Sequence, residues 1–454
     1  MFDTLRKIIN GAKADYADIR YEIKKDTIVA FNGRELSQIG SNSTDGYVVR
    51  VLDKGGLASV AFTQLTDASK SVRFAAENAH LIGKARKEPV RFAPTEVIKD
   101  AFIPELKEDP RKVTMAEKLE LTRKYNNIPL KYDKIVMANI SYREICREKY
   151  FLNSEGTEIR EDLITVQLSG LITSRDGNLI QNIRVGAGGS DGFSSIRNQE
   201  KLFEENTAVA IDLLKSSPVK GGMYNCILNP GITGVFAHEA FGHFSEADII
   251  ETLPAMREKM KIGGNFGSDV LNIADDAPMP GQLGFYKYDD EGVKVRRVQL
   301  IKNGVLTGRL HSRRTAAEFN EPLSGHSIAE DYNYAPIIRM GNIFIEPGSH
   351  SLEALLGMLG DGLYVVDAKG GSTSGENFSF GALYAYLVKN GKKTEMVRDI
   401  NISGNLYQTL KDIKAVGNEL VLRKTGGCGK GQLNLRSSLG GPNILVNNLV
   451  VGGI

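Results

Sequence analysis

The chain contains no tryptophan, and among its 454 residues there are only 3 cysteines and 14 prolines. Cys146, Cys226 and Cys428 stand far apart, which argues against a disulfide framework and for a reducing compartment. No uninterrupted apolar stretch approaches the roughly 20 residues that a membrane span requires. The first residues, Met1 to Gly11, alternate charge and hydrophobe like a short amphipathic helix and lack the apolar core and cleavage site of a signal peptide. Neither sign of charge dominates: 57 basic against 55 acidic residues give a net +2, so whole-protein attraction to nucleic acid or anionic membrane has no support. A cytoplasmic protein with no nucleic-acid and no membrane partner is expected. Glycine, by contrast, is plentiful at 48 residues, above the usual share of about 7%, and it punctuates β-rich runs as tight turns would.

The length predicts two or three domains. Residues 17–62 read as strands, with an Asn32-Gly33 turn and a second turn through Asp53 to Gly56. A helix follows from Asp67 to Leu81, and residues 83–113, with Pro89, Pro94, Pro104 and Pro110 among many charges, read as a connector. Thr114 to Glu117 is a capping-box signature; strands near 134–142, 146–153, 158–173 and 179–188 follow, and a helix from Gln199 to Leu214 closes the unit. The shared order of helix, about four strands and helix predicts two similar helix-and-antiparallel-sheet halves, 1–100 and 114–219, a duplication in outline without a residue-level repeat. After Gly222 the character changes to a short strand, a break at Asn229-Pro230-Gly231, and a buried helix from Ile232 to His243. Short strands and glycine turns fill the remainder, with one further helix from Leu352 to Leu359. The expected class is α+β, with an N-terminal domain over 1–219 and a β-rich catalytic domain over 220–454 that carries the buried helix near its start.

That helix reads His238-Glu-Ala-Phe-Gly-His243. Two histidines with a built-in carboxylate, Glu239, are the raw material of a catalytic zinc site, which uses three protein ligands and keeps one position open. The familiar spacing for such histidines is four residues. Here it is five, which places the rings about 140° apart on a regular α-helix; a π-bulge, or a helix ending at Gly242, would bring them together. Cys428, flanked by Gly426-Gly427 and Gly429, is the candidate third ligand, on a turn where no bulky neighbour shields the sulfur. Glu246 is a rival third ligand or a carboxylate that supports a histidine. Glu239 suits the role of general base, taking a proton from water that the metal acidifies. His311, His326 and Arg339 are candidates for contacting substrate or stabilising an oxyanion, while Cys146, Cys226, His80 and His350 read as structural.

At these residues the chain resembles the TldD/PmbA family of metal-dependent peptidases, once described as modulators of DNA gyrase. The resemblance includes the Asn32-Gly33 turn with Gly46 beyond it, Arg175-Asp-Gly177, the glycines from Gly186 to Gly189, Pro336-x-x-Arg-Met340-x-Asn342, and Val451-Gly-Gly453. Its most specific parts are His238-Glu239-x-x-x-His243 and Gly427-Cys428-Gly-Lys-Gly-Gln432. It implies that His238, His243 and Cys428 bind Zn2+ and that Glu239 is the base. The chain is similar to the TldD-type member, since the PmbA-type partner lacks these residues. The resemblance also implies a dimer enclosing the site in an internal cavity, either a homodimer or a heterodimer with a PmbA-type partner, acting on unfolded or short peptides. The reading is a zinc-dependent peptidase. Two alternatives stand beside it: a hydrolase with Cys428 as nucleophile and a histidine as its base, and a non-catalytic regulator that binds a topoisomerase or another protein.

Overall fold

A computed structural model describes residues 1–433 and 435–452; Gly453 of the C-terminal glycine pair lies outside the described residues. Helix α1 (Phe2–Ile9), strands β1 (Tyr16–Asn32), β2 (Glu35–Asp53) and β3 (Gly56–Phe62), and helix α2 (Ala68–Ala85) form the first half. A short strand β4 (Lys99–Phe102) leads to the second: α3 (Met115–Asn127), β5 (Ile135–Asn153), β6 (Glu158–Asp176), β7 (Leu179–Gly189) and α4 (Glu200–Asp212). Thr114 caps α3 by accepting from the Glu117 N–H. Each half is thus a three-strand meander between two helices.

The two meanders make one sheet. Strands β1 and β5 pair antiparallel from Asp18 opposite Asn153 to Ala30 opposite Ser141, which gives the order β3-β2-β1-β5-β6-β4, with β7 also on β6. Segments 134–142 and 146–153, expected as separate strands, are the single strand β5, so each half has three long strands rather than about four. No turn residue interrupts 143–145, and the charges that resemble a loop are satisfied in place, with Arg143 on Asp26 and Arg147 on Glu22. The connector supplies β4, parallel to β6. Helices cover one face: Val72, Ala75 and Ala79 of α2 pack with Ile19, Val49 and Val51. In the second half Tyr125 of α3 stacks on Phe203 of α4.

Alternation along a strand sends neighbouring side chains to opposite faces. While Ile19 joins the helix-covered core, Asp18, Arg20 and Glu22 of β1 turn to the other face, as do Arg147 and Lys149 of β5 and Glu161 of β6. All of these are buried, because the C-terminal part covers them. Asp290, from that part, lies 3.0 Å from Lys149, 3.4 Å from Arg147 and 3.7 Å from Arg20. Burial opposes its charge, yet these three cations hold its carboxyl well below the usual range. Beside it Arg50 bridges Asp18 at 2.5 Å and Glu291 at 2.9 Å.

The C-terminal part begins with β8 (Ser217–Pro218), β9 (Gly222–Leu228) and α5 (Pro230–Ala237). Strand β9 lies between strands Gly362–Ser374 and Ile444–Gly452 of an eight-stranded sheet. A six-stranded sheet contains Asn342–Ile345 and Ser438–Gly441, and α5 touches strands of both sheets. Beyond the expected Leu352–Leu359, short helices occur at Ala247–Glu251, Pro254–Lys259, Arg313–Phe319 and Leu406–Lys411. Each is too short for a hydrophobic period to be read. Among the described residues no helix is long and apolar enough to cross a membrane.

Breaking the charge cluster should loosen the join between the two parts. Asp290→Asn leaves three buried cations short of a carboxylate and is expected to destabilise the protein by about 3–5 kcal/mol, read from its urea unfolding transition. A loss below about 1 kcal/mol, the range of exposed pairs, would show that the cluster does not hold the parts together.

Candidate metal centre

Helix α5 starts at a well-defined cap. The Asn229 side chain accepts from the Ile232 N–H and Pro230 occupies the first turn, where its missing N–H costs nothing. Ile232, Thr233, Phe236 and Ala237 are buried. From His238 to Gly242 the backbone widens into one π-helical turn, closed by a hydrogen bond from the His243 N–H to the His238 carbonyl. A tight turn over His243–Ser245 then ends the helical run. The expected distortion of the five-residue spacing therefore takes the form of a π turn. Gly242 permits it: a Cβ there would sit 2.1 Å from Met340 Sδ and 2.8 Å from Ile343 Cδ1, both fully buried.

The consequence is that the two imidazoles meet, with centroids 4.9 Å apart and planes at 89°. Cys428 joins them from the far end of the chain. Its Sγ lies 3.0 Å from His238 Nε2 and 3.8 Å from His243 Nε2, and the three donor atoms all fall within 4.8 Å of one another. Two zinc bonds of about 2.0 and 2.3 Å at a tetrahedral angle place nitrogen and sulfur about 3.5 Å apart. The observed separations bracket that value, so the donor set fits a zinc-sized ion.

The loop bearing Cys428 is fastened on several sides. Cys428 and Leu435 exchange backbone hydrogen bonds, at 3.1 and 3.3 Å. Gly426 N–H donates to Gln167 Oε1 of β6 at 3.0 Å, with Gly426 at a φ of 119° that favours glycine. Gln432 accepts from the Glu330 N–H at 2.8 Å and donates to the Ala335 carbonyl at 2.9 Å. Both the N-terminal sheet and the 330–335 segment thereby position the sulfur.

Glu246 is fully buried and faces the other side of the His243 ring. Its Oε2 lies 3.5 Å from His243 Nδ1 and 2.9 Å from Lys430 Nζ, and its Oε1 lies 3.2 Å from Arg339 Nη1. Burial opposes ionisation, but the His243 hydrogen bond and the two cations outweigh it and keep this carboxyl below its ordinary range. At His243 burial likewise opposes the charge, yet hydrogen bonds to Cys428 and Glu246 carry the pKa up to about 9. His238 is driven the other way, well below its usual value, by burial and then by the charge of His243, Arg339 and Arg423.

Glu239 sits on the π turn beside His238, half-buried, and among the described residues its side chain has no hydrogen bond or ion pair. The other candidates separate. Arg339 belongs to this neighbourhood through Glu246. His311 instead bonds Thr315 at 3.1 Å and Glu321 at 2.9 Å, and His326 bonds Asp275 and the Ser324 carbonyl, each at 3.0 Å. Both are buried parts of the scaffold. Lys430 and Asp248, paired at 2.9 Å, are supports that sequence reasoning missed. Their signal was weak: Lys430 stands two residues past Cys428, and Asp248 two past Glu246.

With this geometry the relatives can be compared. Family models match three stretches: PmbA/TldA metallopeptidase domain 1 over residues 17–82, the central domain over 108–215 and the C-terminal domain over 221–453. A metalloprotease of Synechocystis sp. is 34% identical over 97% of this chain and 96% of its own. A zinc metalloprotease TldD homolog of Saccharolobus solfataricus is 30% identical over 97% of each. The solved structure of TldE from Thermococcus kodakarensis shares the fold at a TM-score of 0.80 and 20% identity, covering 100% of both chains. On its sequence, from the first strands to the last, the chain belongs to the PmbA/TldA metallopeptidase family.

Proposed function

We propose that the protein is a cytoplasmic zinc-dependent peptidase of the TldD type that hydrolyses unfolded or short peptides, with His238, His243 and Cys428 as ligands and Glu239 as general base. The observation that carries this reading is the convergence of three donor atoms from two distant segments. Two nitrogens and a sulfur suit zinc far better than magnesium or calcium. A zinc ion held there would supply positive charge toward the scissile carbonyl and acidify water.

The chain's own residues do the rest. Glu239, with no side-chain partner among the described residues, takes the proton from water and returns it to the departing amine. Glu246, fixed by Arg339 and Lys430, accepts the Nδ1–H of His243 and so leaves Nε2, on the side of Cys428, as the nitrogen that releases its proton when a metal binds. Burial keeps His238 uncharged, the form in which imidazole binds a metal. A pairing with a TldE-type partner, or with a second copy, would enclose the site and admit only extended chains; the shared fold with TldE supports the pairing alone. A second reading takes Cys428 as nucleophile, favoured by the 3.0 Å contact of its Sγ with His238 Nε2. Inactivation by thiol alkylation that chelators do not reproduce would select it.

Glu239→Gln is expected to lower cleavage of a denatured protein or short peptide by at least about 100-fold with zinc content unchanged; retained cleavage would remove Glu239 as the base. Glu246→Gln is expected to weaken zinc binding by about 10–100-fold, measured by competition with a chromogenic chelator. Unchanged affinity would show that the carboxylate does not orient His243.

A further inference from the structure

A cavity of about 40 Å³ lies between the charged face of the N-terminal sheet and the C-terminal part, lined by Arg147, Lys149, Tyr286, Glu330, Leu435 and Arg436 among others. It is separated from the metal centre by a single bridge, since Leu435 pairs with Cys428 through their backbones. Its walls are well packed, with Leu163, Tyr286, Ile328 and Leu435 in one apolar cluster. Two polar groups in this wall lack acceptors. Arg436 Nε and Nη1 and Tyr286 Oη are out of solvent and have no hydrogen-bond partner among the described residues. Among the described residues the guanidinium has one hydrogen bond, a long one of 3.4 Å from Nη2 to the Ile164 carbonyl. The neighbouring cations are provided for: Arg147 holds Glu22 and Asp290, and Lys149 holds Glu161 and Asp290. Among the described residues no carboxylate lies within ion-pair distance of Arg436, although Asp290 also lines the cavity. The carboxylate of Glu330 accepts instead from the Leu433 N–H at 2.8 Å. Burial pulls the Arg436 pKa down to about 10, against a smaller opposing pull from the Glu161 carboxylate.

Buried donors without acceptors are costly, and what they lack here is an acceptor carrying negative charge. The room is that of one carboxylate group, or of about two or three waters, and a guanidinium with a nearby hydroxyl is suited to a carboxylate. We propose that this cavity is a binding site for a single carboxylate group, held by Arg436 and Tyr286. The group could come from a free small acid or from an acidic residue of a peptide lying at the adjacent centre. The second source rests on the peptidase reading; the site itself does not.

Formate is the probe. Thermal unfolding of the full-length protein would be followed as sodium formate replaces sodium fluoride at constant ionic strength, for the wild type, Arg436→Met and Tyr286→Phe. A saturable rise of about 2–3 °C in the wild type, absent in Arg436→Met and reduced in Tyr286→Phe, is expected. Equal response of all three proteins, or none in the wild type, would mean that water alone fills the cavity and would overturn the proposal. Should Arg436→Met fail to fold, the comparison with Tyr286→Phe decides. A glutamate-containing peptide that lowers the apparent affinity for formate, where its glutamine counterpart does not, would identify peptide as the source. Formate binding without such competition would assign a free acid. Because unfolding is the readout, the site can succeed where the peptidase reading fails.

Discussion

One π-helical turn, from His238 to Gly242, sets the geometry of the candidate metal centre. On a regular α-helix, residues five apart diverge, and His243 would turn away from Cys428. The π turn brings both imidazoles to one sulfur, at the expense of regular hydrogen bonding in that segment. It persists because its surroundings leave no alternative: Asn229 and Pro230 fix the start of the helix, and Met340 and Ile343 fill the space beside Gly242. Departures from ideal helix geometry of this kind gather at functional sites.

The proposed metal-ligand triad draws on the whole chain. Cys428 is on a loop tied to β6 of the N-terminal sheet through Gln167 and to the 330–335 segment through Gln432. That segment and the neighbouring Asp290 rest on the buried charges of β1 and β5. Placing ions in such an interface gains little over apolar packing but makes the join specific, because a shifted register would leave charges unpaired. The N-terminal sheet thus positions the Cys428 loop, which belongs to the C-terminal part.

Sequence made the chemistry of the site legible further than its supports. A histidine pair with an embedded glutamate, and a cysteine among glycines, are recognisable because side-chain chemistry survives without coordinates. The five-residue spacing called for a distortion, a π-bulge or a helix ending at Gly242, and the backbone adopts the first. Glu246 stayed open between ligand and support, since a position three residues past His243 does not say which face of the ring it meets. His311 and His326 drew attention for lying in polar segments, yet each is buried against a carboxylate; pairing across 10 and 51 residues leaves no local signature. In the fold, alternation identified most strands of the two meanders. The charged middle of β5 resembled a break because its partners, Asp26 and Glu22, lie on a strand more than a hundred residues earlier. The short C-terminal helices hold their shape through caps such as Ser312 and Asn405 rather than through any period.

The most direct test is the metal content of protein purified without chelator, beside His238→Ala and Cys428→Ser. The expected result is about one zinc per chain in the wild type and loss in both variants, which would join two segments far apart in sequence into one coordination site. A wild type without metal, or zinc retained in full by Cys428→Ser, would contradict the three-ligand centre.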